Sequence, residues 1–215
     1  MFTGFSGETF DFLWGIRMNN NREWFQEHKQ QYVQTLYEPM KALGAELFEP
    51  FQNRPGNVLK VSRIYRDARL HHPQPYKESL WICIRKDVAW WAEHPCLFFE
   101  ICPEGVSYGF FLWQPKTAAM EDFRKHISAE PRPFLDMIRA AEAAAGIPVT
   151  AELYKRPKPT DQPALEPYFA WKGQIGCIRE EEPNPGLFEP GLKDRVADHF
   201  AKLTDLYEFF YRFTN

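Results

Sequence analysis

Between Ser79 and Trp113 the chain sets down three apolar runs whose linkers are too short for most topologies. Ser79–Asp87 carries Leu80, Ile82 and Ile84 on one face and Trp81, Cys83 and Arg85 on the other, the two-residue period of a strand. Ala89–Pro95, with Trp90 and Trp91, connects it to Leu97–Cys102. That run is joined to Val106–Trp113 only by Pro103-Glu104-Gly105, the clearest hairpin signal in the chain. A parallel crossover needs about a dozen residues or more, so sequential strands on such short links favour an antiparallel sheet. Asn57–Arg66 reads as a further strand ahead of these.

The flanks read as helices. Ser6 caps a short helix whose buried face is Phe10, Leu13 and Trp14, and the run Asn19-Asn20-Asn21 ends it and starts the next. From Arg22, Phe25, Tyr32, Leu36, Met40, Leu43 and Leu47 recur at spacings that form one apolar stripe. Pro39 lies inside that stripe; it lacks an amide donor and predicts a kink or a restart. Thr117 is placed to cap a helix carrying Met120, Phe123 and Ile127. A further helix follows Pro133 and stops at Gly146. Val149–Leu153 reads as a short strand, Tyr154–Pro167 as a loop and Ile175–Arg179 as an edge strand. Gly191–Phe213 closes the chain, with Leu192, Val196, Phe200, Leu203, Tyr207 and Phe210 along one face.

These elements predict an α+β fold: a central, mainly antiparallel sheet flanked by helices, with an N-terminal helical pair and a long C-terminal amphipathic helix. One domain over residues 1–215 is expected, divided into N-terminal helices (1–56), a sheet core (57–115) and a helical remainder with a basic loop (116–215). Aromatic residues make up 16% of the chain, 19 of them Phe, enough large rings for a sizeable core. A net charge of −3 argues against a polycation that binds nucleic acid with its whole surface, so any basic site is local. The N-terminus lacks the basic start and apolar run of a signal peptide, and no run approaches the ~20 apolar residues of a membrane span. Cys83, Cys96, Cys102 and Cys177 form no CxxC pair, which reads as reduced thiols in a cytoplasmic protein. No metal site and no cofactor is indicated.

The chemistry concentrates in Lys60–Lys86. Lys60, Arg63, Arg66, Arg69, Lys77, Arg85 and Lys86 surround Asp67, and the stretch from Arg69 to Lys77 reads as an irregular loop between two strands. Arg offers a planar fork that matches phosphate or carboxylate, and Lys a point charge. Arg63, Arg66, Asp67, Arg69, Tyr76 and Lys77 are therefore the candidate ligand-binding residues, with Asp67 and Glu100 as candidate acids or bases. Each has a plainer reading: Asp67 and Glu78 pairing with the arginines at a strand end, and Glu100 forming a structural salt bridge with Arg63 or Arg85. Arg63 and Arg66 differ in strand parity and share a face only if the strand bulges or ends between them. His71 and His72 point apart on extended backbone, which disfavours joint metal chelation. No Walker loop, dinucleotide glycine fingerprint, nucleophile elbow or HExxH is present.

Several ordered motifs carry a resemblance. FxGF near the start, NNNREWF at Asn19–Phe25, SRIYRDAR at Ser62–Arg69 and PYK at Pro75–Lys77 are followed by FFEICPEGVSYGFF at Phe98–Phe111 and FRKHI at Phe123–Ile127. In this the chain resembles the bacterial family known as domain of unknown function 2461. The resemblance brings no established activity. It singles out Asn20, Trp24, Phe25, Arg63, Arg66, Asp67, Arg69, Pro75, Tyr76 and Lys77. The segment Leu70-His71-His72-Pro73-Gln74 stands where the commoner family pattern has Phe and a Lys-containing run, which lowers the loop's fixed positive charge. Two functions follow, a leading one and an alternative. One is a pocket for a phosphorylated or carboxylated small molecule, reaction unspecified. The other is a non-enzymatic module that uses the same loop to bind an acidic protein surface or a nucleic-acid backbone. Concavity separates them: a pocket supports the first and a flat basic patch the second.

Overall fold

The computed structural model describes residues 1–67 and 73–214. A six-stranded antiparallel sheet carries the fold, in the order β1-β2-β3-β4-β6-β5. Its strands are β1 (Asn57–Val61), β2 (Leu80–Lys86), β3 (Cys96–Cys102), β4 (Gly105–Leu112), β5 (Thr150–Leu153) and β6 (Trp171–Glu181). The chain divides into two compact units. The first is Met1–Ile84, Phe98–Tyr108 and Glu180–Ala197; the second is Arg85–Leu97, Gly109–Arg179 and Asp198–Asn215.

In the first unit the N-terminal helices form as their apolar spacing dictates. Helix α1 (Gly7–Met18) follows Ser6, whose amide donates to Thr9 Oγ1 at 3.1 Å. Phe10, Phe12, Leu13 and Ile16 are buried. Trp14, expected on that face, is instead 42% exposed, with the Arg17 guanidinium 5.0 Å from its ring centre. The three asparagines have three tasks. Asn19 closes α1 through its amide to Gly15 O (2.9 Å), and Asn21 caps α2 (Arg22–Glu27) by accepting from Trp24 N (3.0 Å). Asn20 reaches out of the helical pair altogether, to the backbone of Tyr76.

The long stripe is present but not one uniform helix. Helix α3 (Lys29–Gln31) runs into a π-helical stretch, Tyr32–Tyr37, and α4 (Glu38–Phe48) restarts with Pro39 in its first turn. Proline forfeits an amide donor, and the widened turn before it accommodates the loss. Phe25, Tyr32, Leu36, Met40, Leu43 and Leu47 are all buried. Gly15 is a packing glycine: a Cβ there would lie 2.4 Å from the Trp24 ring.

Strand β1 ends at Val61, short of the expected Arg66. The reason is Ser62: its backbone amide still donates to Trp81 O (2.8 Å), but its side-chain oxygen takes the amide of Trp81 (2.9 Å), replacing a ladder bond with a side-chain one. The chain then forms a single antiparallel bridge, Tyr65 to Tyr76. The turn between β3 and β4 requires Gly105: its φ is +140°, and a Cβ would sit 2.0 Å from Glu181 O.

The second unit has an aromatic core centred on Phe123, in α5 (Thr117–Ala129). Its ring lies 5.4 Å from Phe134, 6.2 Å from Trp171 and 5.4 Å from Phe210. Phe134 belongs to α6 (Pro131–Ala145), which begins two residues earlier than expected and ends at Gly146 in the left-handed conformation (φ +70°). After α7 (Glu166–Phe169), β6 runs for 11 residues and is an interior strand, correcting the edge strand expected over Ile175–Arg179. The edge is β5, paired antiparallel with it. Helix α8 (Leu192–Tyr211) buries all six residues of its predicted stripe. Among the described residues, no helix is long and apolar enough to cross a membrane.

Candidate functional site

The site is built in the first unit, where the chain leaves β1 and returns to β2. Arg66 N donates to Pro75 O (2.8 Å) and Lys77 N to Ile64 O (2.7 Å), so the two arms are tied to each other across the Tyr65–Tyr76 bridge. Asn20 fixes the returning arm from outside: its Nδ2 donates to Tyr76 O and its Oδ1 accepts from Tyr76 N, both at 3.0 Å. The Tyr76 side chain is 3% exposed and stacks on Phe25 with ring centres 4.3 Å apart. A buried ring and a doubly bonded peptide give Lys77 a stiff base.

Beside this base lies a concave, solvent-open cleft of about 670 Å³. Arg66, Asp67, Lys77 and Glu100 line it, together with Arg17, Tyr65, Glu78, Ser79 and Cys102. Among the described residues, three cations thus face three carboxylates. Arg17, Arg66 and Glu78 are already engaged with one another. Glu78 accepts from Arg17 Nε at 2.7 Å and lies 3.7 Å from the Arg66 guanidinium. Arg17 turns its remaining nitrogens to Glu104 in the β3–β4 turn, a bidentate pair whose longer arm is 3.1 Å. The Arg17 guanidinium holds the Glu104 carboxyl down to about 2, and in return its own pKa is raised. Arg66 also donates to Gln74 Oε1 at 3.3 Å.

Lys77 differs. Among the described residues it makes no ion pair; its Nζ lies 5.5 Å from the Trp81 ring centre. Burial pushes its pKa down from the ordinary lysine value, Glu100 opposes that shift, and Arg66 adds to it. Glu100 accepts a 2.6 Å hydrogen bond from Ser79 Oγ. Its partner is therefore a serine, with Lys77 as its electrostatic neighbour, rather than the Arg63 or Arg85 expected from sequence. Burial, more than the nearby Glu104, raises the Cys102 thiol's pKa and keeps it protonated.

Of the residues singled out in sequence, Arg66, Asp67, Lys77 and Glu100 are brought together. Arg63 is exposed and does not line the cleft. Tyr76 supports the site from the core. Arg69, with His71 and His72, lies outside the described residues. Among the described residues, no group of three His, Cys, Asp or Glu side chains is arranged to hold a metal ion.

The model of the conserved hypothetical protein family DUF2461 matches residues 8–209. The chain belongs to this family. No curated protein matches it. In this DUF2461 protein the recurrent motifs have structural meanings: Asn20 clamps the loop, Phe25 stacks on Tyr76, and Arg66 and Lys77 face the cleft. Sequence reasoning missed Arg17 and Glu104. Arg17 is only an arginine in the last turn of a helix until Glu78 and Glu104 are brought to it from distant parts of the chain. The one local hint for Glu104 is its place in a tight turn.

Proposed function

We propose that the cleft binds a small molecule carrying one phosphate or carboxylate group, with Lys77 as its principal anchor and Arg66 beside it. The observation that carries this is concavity together with an unspent charge: Arg66, Asp67 and Lys77 line a cleft, and among the described cations of that cleft Lys77 alone lacks a carboxylate partner. An anion at Lys77 would restore the charge compensation that burial denies it. Among the described residues, the balance of three cations and three carboxylates fits a ligand with one anionic end and a polar remainder, hydrogen-bonded by Ser79, Glu78 or Asp67. It fits a nucleic-acid backbone poorly, because a polyanion needs an excess of positive charge along its track. We place the protein in the reducing cytoplasm of a bacterium, in keeping with its four free cysteines.

The test is a thermal-shift screen of orthophosphate, sugar phosphates and dicarboxylates on wild type and Lys77→Met. A ligand of the native state raises Tm with concentration, and the shift should vanish in the variant. A flat response to every anion, with pull-down of an acidic protein by the same surface, would instead support the interaction module.

A further inference from the structure

We infer that Lys77 is an imine-forming amine, and that the cleft takes an aldehyde or ketone bearing an anionic group. This deepens the anion-binding reading and rests on it.

Imine formation asks four things of a site. It needs an amine on a fixed base, a proton carrier beside it, room for a carbonyl compound, and no ion pair that ties up the amine. The backbone of Lys77 is fixed by the 2.7 Å bond to Ile64 O and by the Asn20 clamp on the preceding peptide. Glu100 lines the same cleft, oriented by Ser79 at 2.6 Å, close enough to act on Lys77 electrostatically without an ion pair to it. The volume of about 670 Å³ admits a small metabolite. The Nζ of Lys77 lies 5.5 Å from the Trp81 ring centre, a contact that favours the ammonium form. Burial acts against it, since it raises the share of neutral amine at a given pH. Lys77 and Arg66 together would attract the substrate's anionic group, and Arg66 would keep it once the Lys77 amine has reacted.

The steps balance with these groups alone. The Nζ lone pair attacks the carbonyl carbon, a C–N bond forms, and the C=O π electrons move to oxygen. Glu100 takes a proton from nitrogen and passes it to that oxygen, giving a carbinolamine. The same carboxylate then takes the remaining N–H proton and delivers it to the hydroxyl, which leaves as water while the electron pair released from nitrogen closes the C=N bond. Glu100 ends as it began.

The test incubates the full chain with glyoxylate and cyanoborohydride and maps the modified lysines by mass spectrometry. We expect a carboxymethyl group on Lys77, formed several-fold faster than on the exposed Lys116 and Lys125. Lys77→Arg should remove this product, and Glu100→Gln should slow it. Glycolate, which has the carboxylate but no carbonyl, separates the two ideas. If glycolate raises Tm while Lys77 is labelled no faster than Lys125, imine chemistry is overturned and anion binding stands. If propionaldehyde labels Lys77 as fast as glyoxylate and glycolate gives no shift, the amine is reactive and the anionic selectivity is overturned. If neither effect appears, both readings fail.

Discussion

Replacing Arg17 with methionine tests how the cleft is held together. Arg17 ties the last turn of α1 to Glu78, at the entrance to β2, and to Glu104 in the β3–β4 turn. The Glu78 arm joins side chains that are 30% and 24% exposed, so its 2.7 Å charge-assisted bond contributes about 1–1.5 kcal/mol. The Glu104 arm needs discounting. A fall from 4.5 to about 2 converts formally to about 3 kcal/mol, but Glu104 is 58% exposed and solvent screening leaves at most about 1 kcal/mol. The two arms sum to about 2 kcal/mol, or a Tm loss of about 4–8 °C for a chain of this length. Methionine keeps most of the aliphatic packing, and Glu78 keeps Arg66. Urea denaturation at pH 7 measures the loss. The acid limb gives a second readout. A carboxyl whose folded pKa is depressed contributes stability above its unfolded value and loses it as pH falls, here from about 4.5 towards 2. That segment of the stability–pH curve should flatten in Arg17→Met. A double-mutant cycle with Glu104→Gln should return a coupling of about 0.5–1 kcal/mol. A variant within 0.5 kcal/mol of wild type, with an unchanged acid limb, would refute this account of the cleft wall.

Three other perturbations probe the fold. Gly105→Ala forces a side chain onto a φ of +140° and to within 2.0 Å of Glu181 O, so it should destabilise by about 3 kcal/mol or more, or prevent folding; near-normal urea unfolding would contradict the turn geometry. Phe123→Ala empties the centre of the second unit's aromatic cluster and should lower stability by about 3–5 kcal/mol by the same measurement, whereas Phe123→Leu should lose less. His199 is buried, and burial, aided by Arg179 and Lys202, pulls its pKa to about 4. A histidine held neutral by the fold loses stability as pH falls from 6.5 to about 4, by up to about 3 kcal/mol, and His199→Gln should remove that slope as seen in urea titrations across the window.

Much of this architecture is written locally. The stripe from Phe25 to Leu47, the hairpin around Pro103-Glu104-Gly105 and the apolar face of α8 each rest on spacings within one continuous stretch of chain, and each is where the spacing puts it. Pro39 marks its own restart. The errors have physical causes. Strand β6 begins at Trp171, but Gly173 and Gly176 dilute its apolar alternation, and with its first half unread it looked like an edge. β1 looked longer because Ile64 and Tyr65 continue its run of strand-favouring side chains, while Ser62 replaces a ladder bond with its hydroxyl. At the site, the basic loop was legible because its charges are adjacent in sequence. Its wiring was not, since Arg17, Asn20, Ser79 and Glu100 meet it through side-chain bonds between distant segments. Nor could sequence reveal that, among the cleft's described cations, Arg17 and Arg66 are already paired with carboxylates and Lys77 is not.

The central claim is that Lys77 anchors an anion in this cleft, and isothermal titration with the best anion from the thermal-shift screen tests it most directly. Wild type should bind at one site per chain, and Lys77→Met should lose that binding while unfolding in urea at the same or a slightly higher concentration. The expected gain follows from sign: a lysine whose folded pKa is depressed opposes folding at neutral pH, so removing its buried charge relieves the fold. Undiminished binding in Lys77→Met, or a loss of binding that merely follows a loss of fold, would contradict the account.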